Sequence, residues 1–181
     1  FLRQQGWDID IKAHVRRGGR VLGICGGYQM LGHTITDPEG IEGAGGNSPG
    51  LGLLDVTTEL VPDKRLLAVK GRLEPEQVAV HGYEMHMGRT TGNDQARPFA
   101  FIDQQPEGAC SPDGQIWGTY LHGIMASGAV RQALLARLGM QLPRYQNHEN
   151  VVETALNTWA DHLEHHIDIP ALLQLARPVS L

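Results

Sequence analysis

The feature that most constrains the fold is a short apolar strand that runs into a glycine-rich turn and then into helix-forming residues. Residues 20–32 read RVLGICGGYQMLG. A chain that reverses sharply from strand to helix brings backbone atoms close together, so small residues are needed around the tip. Gly23 precedes the tip, Gly26 and Gly27 follow it, and Cys25 occupies it. The pattern predicts a nucleophile elbow that exposes the Cys25 side chain.

A cysteine at such a turn has alternative interpretations. At a helix start, free N–H groups and the helix dipole favour the thiolate, which is the form that attacks carbonyl carbon. Glycine-rich turns also bind phosphate, and a buried cysteine is often only a small apolar side chain. A phosphate loop would need a lysine, and none lies between Arg20 and Lys64. The sequence favours a catalytic Cys25 and leaves the packing role open.

Composition limits the possible classes of function. The chain has 181 residues, 41% hydrophobic and 19% charged, which fits one globular domain. A net charge of −5 with 15 scattered Lys and Arg residues argues against nucleic-acid or membrane binding. The cysteines Cys25 and Cys110 make no disulfide framework, so we expect a cytoplasmic protein. Cys110 lies in a predicted turn and is interpreted as a bystander.

The order of predicted elements favours an α/β fold. We predict helices over 9–17, 27–32 and 127–138, and two more over 149–176 with an interruption near Pro170. We predict strands over 20–24, 51–61, 65–73, 77–87, 99–102 and 116–120, and a surface loop over 36–50. Helices alternate with strands first and strands follow one another later. This order indicates a mixed sheet with flanking helices, extended by antiparallel strands.

A cysteine nucleophile needs a base, and His122 is the strongest candidate among nine histidines. Histidine can accept and return a proton near neutral pH. His122 follows an apolar strand and precedes Gly123, at the edge where active sites of α/β sheets gather. A lone histidine at a strand end is more often structural. Here the elbow at Cys25 offers a nucleophile that needs a base, so we keep His122 as the candidate.

Two other histidine-containing runs carry weaker signals. In HGYEMHMGRT, over residues 81–90, Glu84 and His86 would share one face of a strand, and we expect structural or substrate-orienting roles for them. His162 and His166 lie four apart on a predicted helix, but no further ligand completes a metal site. We interpret that helix face as solvated and predict no metal.

Three motifs in order, GICGGYQMLG, HGYEMHMGRT and GTYLHG, resemble the glutamine amidotransferase domain of the cobyric acid synthase group over nearly the whole chain. The first motif alone is similar to the wider class I, triad-type glutaminases, and the resemblance implies their flavodoxin-like α/β fold. A glutaminase subunit that amidates lipid II in cell-wall synthesis is an alternative. A catalytically inactive interaction domain of the same fold is another.

The resemblance implies that Cys25 attacks the side-chain amide of glutamine and that His122 acts as the base. It implies a group of substrate-binding residues, namely Gly26, Gln29, Tyr83, Glu84 and His86. The N–H of Gly26 is the expected oxyanion donor. Most triad glutaminases have a glutamate two residues after the histidine, where this chain has Ile124. This leaves a Cys–His dyad or an orienting residue from elsewhere, and we expect Glu84 to orient His122.

The resemblance also implies a larger enzyme. The chain begins at Phe1 without a methionine, and we expect residues 1–181 to be a single glutaminase domain that lacks its first strands. An upstream synthetase domain of the same chain would bind ATP and Mg²⁺. That domain would use the ammonia to amidate carboxylates of a corrinoid acceptor, adenosylcobyrinic acid a,c-diamide, in cobalamin biosynthesis. No cofactor is expected in the glutaminase domain itself.

Overall fold

The computed structural model of the chain describes residues 1–140 and 148–175. The helices are α1 (Trp7–Arg16), α2 (Gly26–Leu31), α3 (Gly128–Arg137), α4 (His148–His166) and α5 (Ile169–Leu175). The strands are β1 (Val21–Ile24), β2 (Thr34–Asp37), β3 (Gly46–Pro49), β4 (Thr57–Leu73), β5 (Val78–Thr91), β6 (Ala100–Ile102), β7 (Gln105–Glu107), β8 (Ala109–Cys110), β9 (Ile116–Thr119) and β10 (Leu121–His122). Each predicted helix is present within a few residues of its expected bounds.

The first sheet has the order β1-β9-β8 and carries the predicted elbow. β1 runs parallel to β9, with Val21 opposite Ile116 and Ile24 opposite Thr119. The carboxyl ends of both strands therefore lie at the same edge of the sheet. Cys25 directly follows β1 at this edge, and His122 comes three residues after the end of β9.

The second sheet has the order β10-β5-β4-β2-β3, with β6 and β7 joined to the side of β4. Its centre is the long antiparallel pair of β4 and β5. The chain passes from the first sheet to the second at Tyr120, between β9 and β10. This crossing brings β10, which follows β9, against β5, where the second sequence motif lies.

Two separate strands were predicted over 51–61 and 65–73, but a single strand, β4, spans most of this region. Its pairing with β5 shifts, since Leu60 lies opposite Gly88 and Arg65 opposite His86. Four residues of β4 thus face one residue of β5. A bulge of this kind tolerates Pro62, which has no N–H to donate to a ladder. The prediction was wrong because the proline marks a bulge within one strand.

The predicted surface loop over 36–50 also contains strand structure. β2 and β3 pair antiparallel, and all four residues of β3 are exposed. The Asp37 carboxylate closes the connection by accepting the N–H groups of Ile41 and Glu42. An exposed edge strand buries no alternate side chain, so it shows none of the apolar periodicity used for the prediction.

Two apolar clusters support the elbow and the strand that follows it. One contains Tyr28 and Leu31 of α2 packed with Ile116 of β9, and the other contains Leu121 of β10 packed with Val130 of α3. Gly118 lets α2 approach β9 closely, because a Cβ there would lie 2.0 Å from the Tyr28 ring. The packing holds the start of α2 and the end of β9 in a fixed relation.

The C-terminal helices carry exposed apolar side chains. In α4, Leu156 is 58% exposed and Trp159 is 69% exposed. α5 begins at Ile169, so Pro170 lies in its first turn, where a missing N–H costs no helical hydrogen bond. Within residues 1–140 and 148–175, no helix combines the length and apolarity needed to cross a membrane.

Candidate active site

Cys25 occupies the tip of the turn between β1 and α2. Its backbone has φ 55° and ψ −116°, a left-handed region that is unfavourable for a residue with a side chain. Its N–H donates to the Thr119 oxygen at 2.8 Å, and its partly exposed thiol lies 3.5 Å from the Met85 oxygen. The predicted sharp turn from strand to helix is therefore present at Cys25, and contacts to β9 and β5 hold its strained backbone.

The glycines around Cys25 have different roles. A Cβ at Gly23 would lie 2.7 Å from the Gly27 backbone and 2.6 Å from Leu31, so this position needs glycine. At Gly26 and Gly27 a Cβ would meet no atom within 4 Å. The prediction that packing demands small residues after Cys25 was wrong for these two. The open space beside their backbone is available to a ligand.

His122 lies in β10, opposite Tyr83 of β5. The two rings stack with centroids 5.1 Å apart and planes 8° apart. A Cβ at Gly82 would lie 2.1 Å from the His122 oxygen, so this glycine allows β10 to approach β5. The His122 Nε2 atom is buried and has no hydrogen-bond partner among the described residues. A buried nitrogen without a partner among these residues is free to bond with a ligand, and the role of His122 as a base stays a prediction.

β5 connects the two candidate catalytic residues. The Met85 oxygen contacts the Cys25 thiol, and Tyr83, two residues earlier, stacks on His122. Tyr83 and Met85 project from the same face of β5 and are 42% and 40% exposed. The structure thus brings Cys25, His122 and Tyr83 to one open side of the protein.

Glu84 and His86 lie on the other face of β5. Leu121, rather than His122, is opposite Glu84, so the side chains of Glu84 and His122 project in opposite directions. The predicted orienting contact between these two residues is therefore contradicted by the strand register. His86 Nε2 lies 3.9 Å from a Glu84 oxygen, and the His86 ring stacks on Tyr120 with centroids 3.9 Å apart. Both residues belong to the interior behind the open site.

Gln29 is also directed into this interior. Its side-chain amide donates to the Tyr120 hydroxyl at 3.3 Å, and that hydroxyl is 2.6 Å from the Thr90 hydroxyl. A Cβ at Gly88 would lie 2.3 Å from the Gln29 amide nitrogen. The Gln29 amide is thus already engaged within the protein, and its contact with a substrate stays a prediction.

The histidine pair on α4 that was considered as a metal site is exposed. His162 and His166 stack on exposed α4 with ring centroids 4.2 Å apart. Within the described ranges, no group of three or more His, Cys, Asp or Glu side chains is arranged to hold a metal ion.

Residues 1–130 match the family described as the CobB/CobQ-like glutamine amidotransferase domain. The chain belongs to this family. The resemblance predicted from the three sequence motifs is confirmed. The matched residues include both Cys25 and His122.

Relatives named cobyric acid synthase are similar to this amidotransferase chain over nearly its whole length. The protein of Rhodobacter capsulatus is 58% identical over 177 residues, which cover 98% of this chain and 37% of the relative. The protein of Cereibacter sphaeroides is 56% identical with the same coverage of both chains. The chain therefore spans about 37% of the length of these relatives.

A solved structure supports the fold. A chain of PurLQS from Thermotoga maritima superposes with a TM-score of 0.53 at 18% identity, covering 72% of this chain and 68% of that chain. At this identity the likeness shows the fold alone. Together with the family match it confirms the predicted α/β amidotransferase fold.

Glu107 is a residue of the amidotransferase interior that the sequence analysis missed. It ends β7, it is only 8% exposed, and its carboxylate accepts from the Thr119 hydroxyl at 2.7 Å and the Tyr120 N–H at 2.6 Å. Burial raises the pKa of Glu107 to about 7, against the opposing effect of these two hydrogen bonds. Glu84 raises this pKa further and His86 lowers it. The segment QPEGAC gave no signal, because a carboxylate among turn residues is usually solvated.

The pKa of Glu107 predicts how stability depends on pH. The ordinary value is 4.5, so between pH 4.5 and about 7 the folded protein keeps a proton that the unfolded chain has lost. The free energy of unfolding is expected to fall as pH rises through this range, by up to roughly 3 kcal/mol from Glu107. Urea unfolding at several pH values measures this slope.

Glu107→Gln is expected to flatten that slope, because the amide does not titrate. The control Glu59→Gln changes an exposed carboxyl on β4 and is expected to leave the slope near its wild-type value. A Glu107→Gln protein that retained the full wild-type slope would show that Glu107 titrates normally.

Proposed function

We propose that this chain is the glutaminase domain of a cobyric acid synthase, with Cys25 as nucleophile and His122 as general base and acid. The observation that carries the proposal is the strained Cys25 elbow, joined through β5 to a buried His122 nitrogen that has no partner among the described residues. The high identity to cobyric acid synthases supports the same assignment.

The proposed reaction has two halves. The Cys25 thiol loses its proton to His122, and the thiolate attacks the side-chain amide carbon of glutamine. The tetrahedral intermediate collapses, the proton returns to the leaving nitrogen, and ammonia departs to leave a γ-glutamyl thioester. His122 then takes a proton from water, which attacks the thioester, and glutamate and the thiol are released. The net reaction is glutamine and water to glutamate and ammonia.

The residues around Cys25 suit these steps. No atom lies within 4 Å of the place that a Gly26 Cβ would occupy, so there is room for substrate beside the residue whose backbone N–H we assign as the oxyanion donor. Tyr83 stacks on the His122 ring and restricts its orientation, which is the function that a triad carboxylate supplies in other glutaminases. Ile124 is fully buried in the apolar cluster behind β10, so it cannot supply that function.

We assign the site that uses the ammonia to the part of the full-length protein outside this chain. The relatives are named cobyric acid synthase and extend well beyond the matched region. We therefore assign to the rest of the full-length chain the binding of ATP and Mg²⁺ and the amidation of corrinoid carboxylates.

The experiment that tests this function measures glutamate formation by the full-length protein. Glutamine is supplied with or without ATP and adenosylcobyrinic acid a,c-diamide. We expect glutamate to form, and to form faster when ATP and the corrinoid are both present. If glutamate formation is absent under all conditions, or if its rate is the same with and without ATP and the corrinoid, the proposal fails.

A further inference from the structure

A network of hydrogen bonds starts at the buried Glu107 carboxylate, reaches the backbone N–H of Cys25 through Thr119, and ends one residue before His122. One carboxylate oxygen accepts from the Thr119 hydroxyl, and the other accepts from the Tyr120 N–H. The Thr119 hydroxyl oxygen in turn accepts from the Leu121 N–H at 3.0 Å. The Thr119 carbonyl oxygen accepts from the Cys25 N–H at 2.8 Å. Every residue from Thr119 to Leu121 is therefore connected to Glu107, and His122 comes next in the chain.

We propose that Glu107 is a positioning residue, whose carboxylate fixes the segment 119–121 and through it the placement of Cys25 relative to His122. This inference rests on the proposed function, since it gives Glu107 a role in the same reaction. Glu107 touches neither candidate catalytic side chain through its hydrogen bonds, so its effect passes through the backbone.

The fold needs such a restraint at this point. The segment crosses from the first sheet to the second, and Tyr120 belongs to neither strand, so no ladder holds it. Cys25 adopts a strained backbone conformation that persists only if its surroundings hold it. The Thr119 oxygen is one of those restraints, and Glu107 fixes the residue that carries it.

The Glu107 side chain suits this position because its two oxygens meet two separate donors. Two buried donors, a hydroxyl and a backbone N–H, point at it, and a carboxylate accepts both at once. The charged groups that face Glu107 are Glu84 and His86 of β5, which have opposite effects on its ionisation.

The test compares variants of the full-length protein. Glu107→Ala removes both acceptors. Thr119→Val keeps the side-chain shape and removes the hydroxyl that links Glu107 to Thr119 and to the Leu121 N–H. Glu107→Gln keeps an oxygen for the Tyr120 N–H, and its amide nitrogen can donate to the Thr119 hydroxyl oxygen, so both links can persist. Asp94→Ala is the matched control, because Asp94 is an equally buried carboxylate that accepts a backbone N–H, that of Asp55, outside this segment.

We expect the substitutions to lower kcat and to leave KM nearly unchanged. Loss of alignment by a fraction of an ångström to 1 Å costs up to about 10²-fold, so kcat for glutamine hydrolysis should fall about 10- to 10²-fold in Glu107→Ala and Thr119→Val. KM should stay within about threefold of wild type, since the open substrate side is untouched. Glu107→Gln should recover most of the lost kcat, and Asp94→Ala should keep wild-type kcat.

A second readout needs no glutamine chemistry. The rate at which iodoacetamide alkylates Cys25, followed by peptide mass, should fall in Glu107→Ala and Thr119→Val and be restored in Glu107→Gln. Wild-type kcat and alkylation rate in both variants would overturn the proposal, as would an equal loss in Asp94→Ala. If the wild-type protein hydrolyses no glutamine, the proposed function fails, while the alkylation rates still decide the role of Glu107. If Glu107→Ala does not fold, Thr119→Val decides it.

Discussion

Cys25→Ala is expected to abolish glutamine-dependent amidation by the full-length protein, with a loss of at least about 10³-fold. The thiolate forms the covalent bond to substrate, and the alanine methyl group cannot replace it. Synthesis from added ammonium salts should continue, because free ammonia bypasses the glutaminase site. Amidated corrinoid, quantified by mass spectrometry with each nitrogen source, measures both activities.

The matched control for this variant is Cys110→Ala. Cys110 is the second cysteine of the chain, and burial raises the pKa of its thiol to about 11. The Cys110→Ala protein should still amidate the corrinoid with either glutamine or ammonium as the nitrogen source. Loss of the ammonia-dependent activity in Cys25→Ala, or retention of the glutamine-dependent activity, would contradict the assignment of Cys25.

His122→Asn is expected to lower kcat for glutamine hydrolysis by about 10²- to 10⁴-fold, the usual contribution of a general base and acid. Asparagine preserves much of the side-chain shape but cannot exchange a proton near neutral pH. The ring contact with Tyr83 should weaken too, since an amide replaces an imidazole. Steady-state glutamate formation by the full-length protein measures the change.

His33→Asn provides the comparison for this second variant. His33 is half-exposed, and its imidazole pairs with Asp55 at 3.2 Å. Its replacement should keep kcat close to wild type. An active His122→Asn protein would mean that another group takes the proton from Cys25.

Local sequence rules predicted the centre of the site. The elbow at Cys25 depends on a turn whose steric demands are visible in neighbouring residues, above all Gly23. His122 could be chosen because it follows an apolar strand next to a glycine. These features need only a few consecutive residues, so one sequence is sufficient to identify them.

The second face of β5 could not be assigned in the same way. The alternation of side chains showed that Glu84 and His86 share a face, but which face meets His122 depends on pairing with a distant strand. That register places Leu121 opposite Glu84. A shift of one residue would reverse the assignment, and nothing in the sequence fixes it.

The role of Glu107 could not be predicted from the sequence either. Its role depends on burial and on donors from Thr119 and Tyr120, which lie more than ten residues along the chain. Pro62 shows the same limit for local structure, because a bulge accommodates a residue that normally ends a strand. In both cases tertiary contacts supply what local preference cannot.

The central claim is that Cys25 is a specifically activated nucleophile for glutamine, and labelling with a glutamine-analogue electrophile tests it most directly. The full-length protein is treated with the reagent, digested, and its two cysteine peptides are compared by mass. We expect a rapid adduct on Cys25, protection by glutamine, and no comparable adduct on Cys110. Equal labelling of Cys25 and Cys110, or labelling that glutamine does not slow, would contradict it.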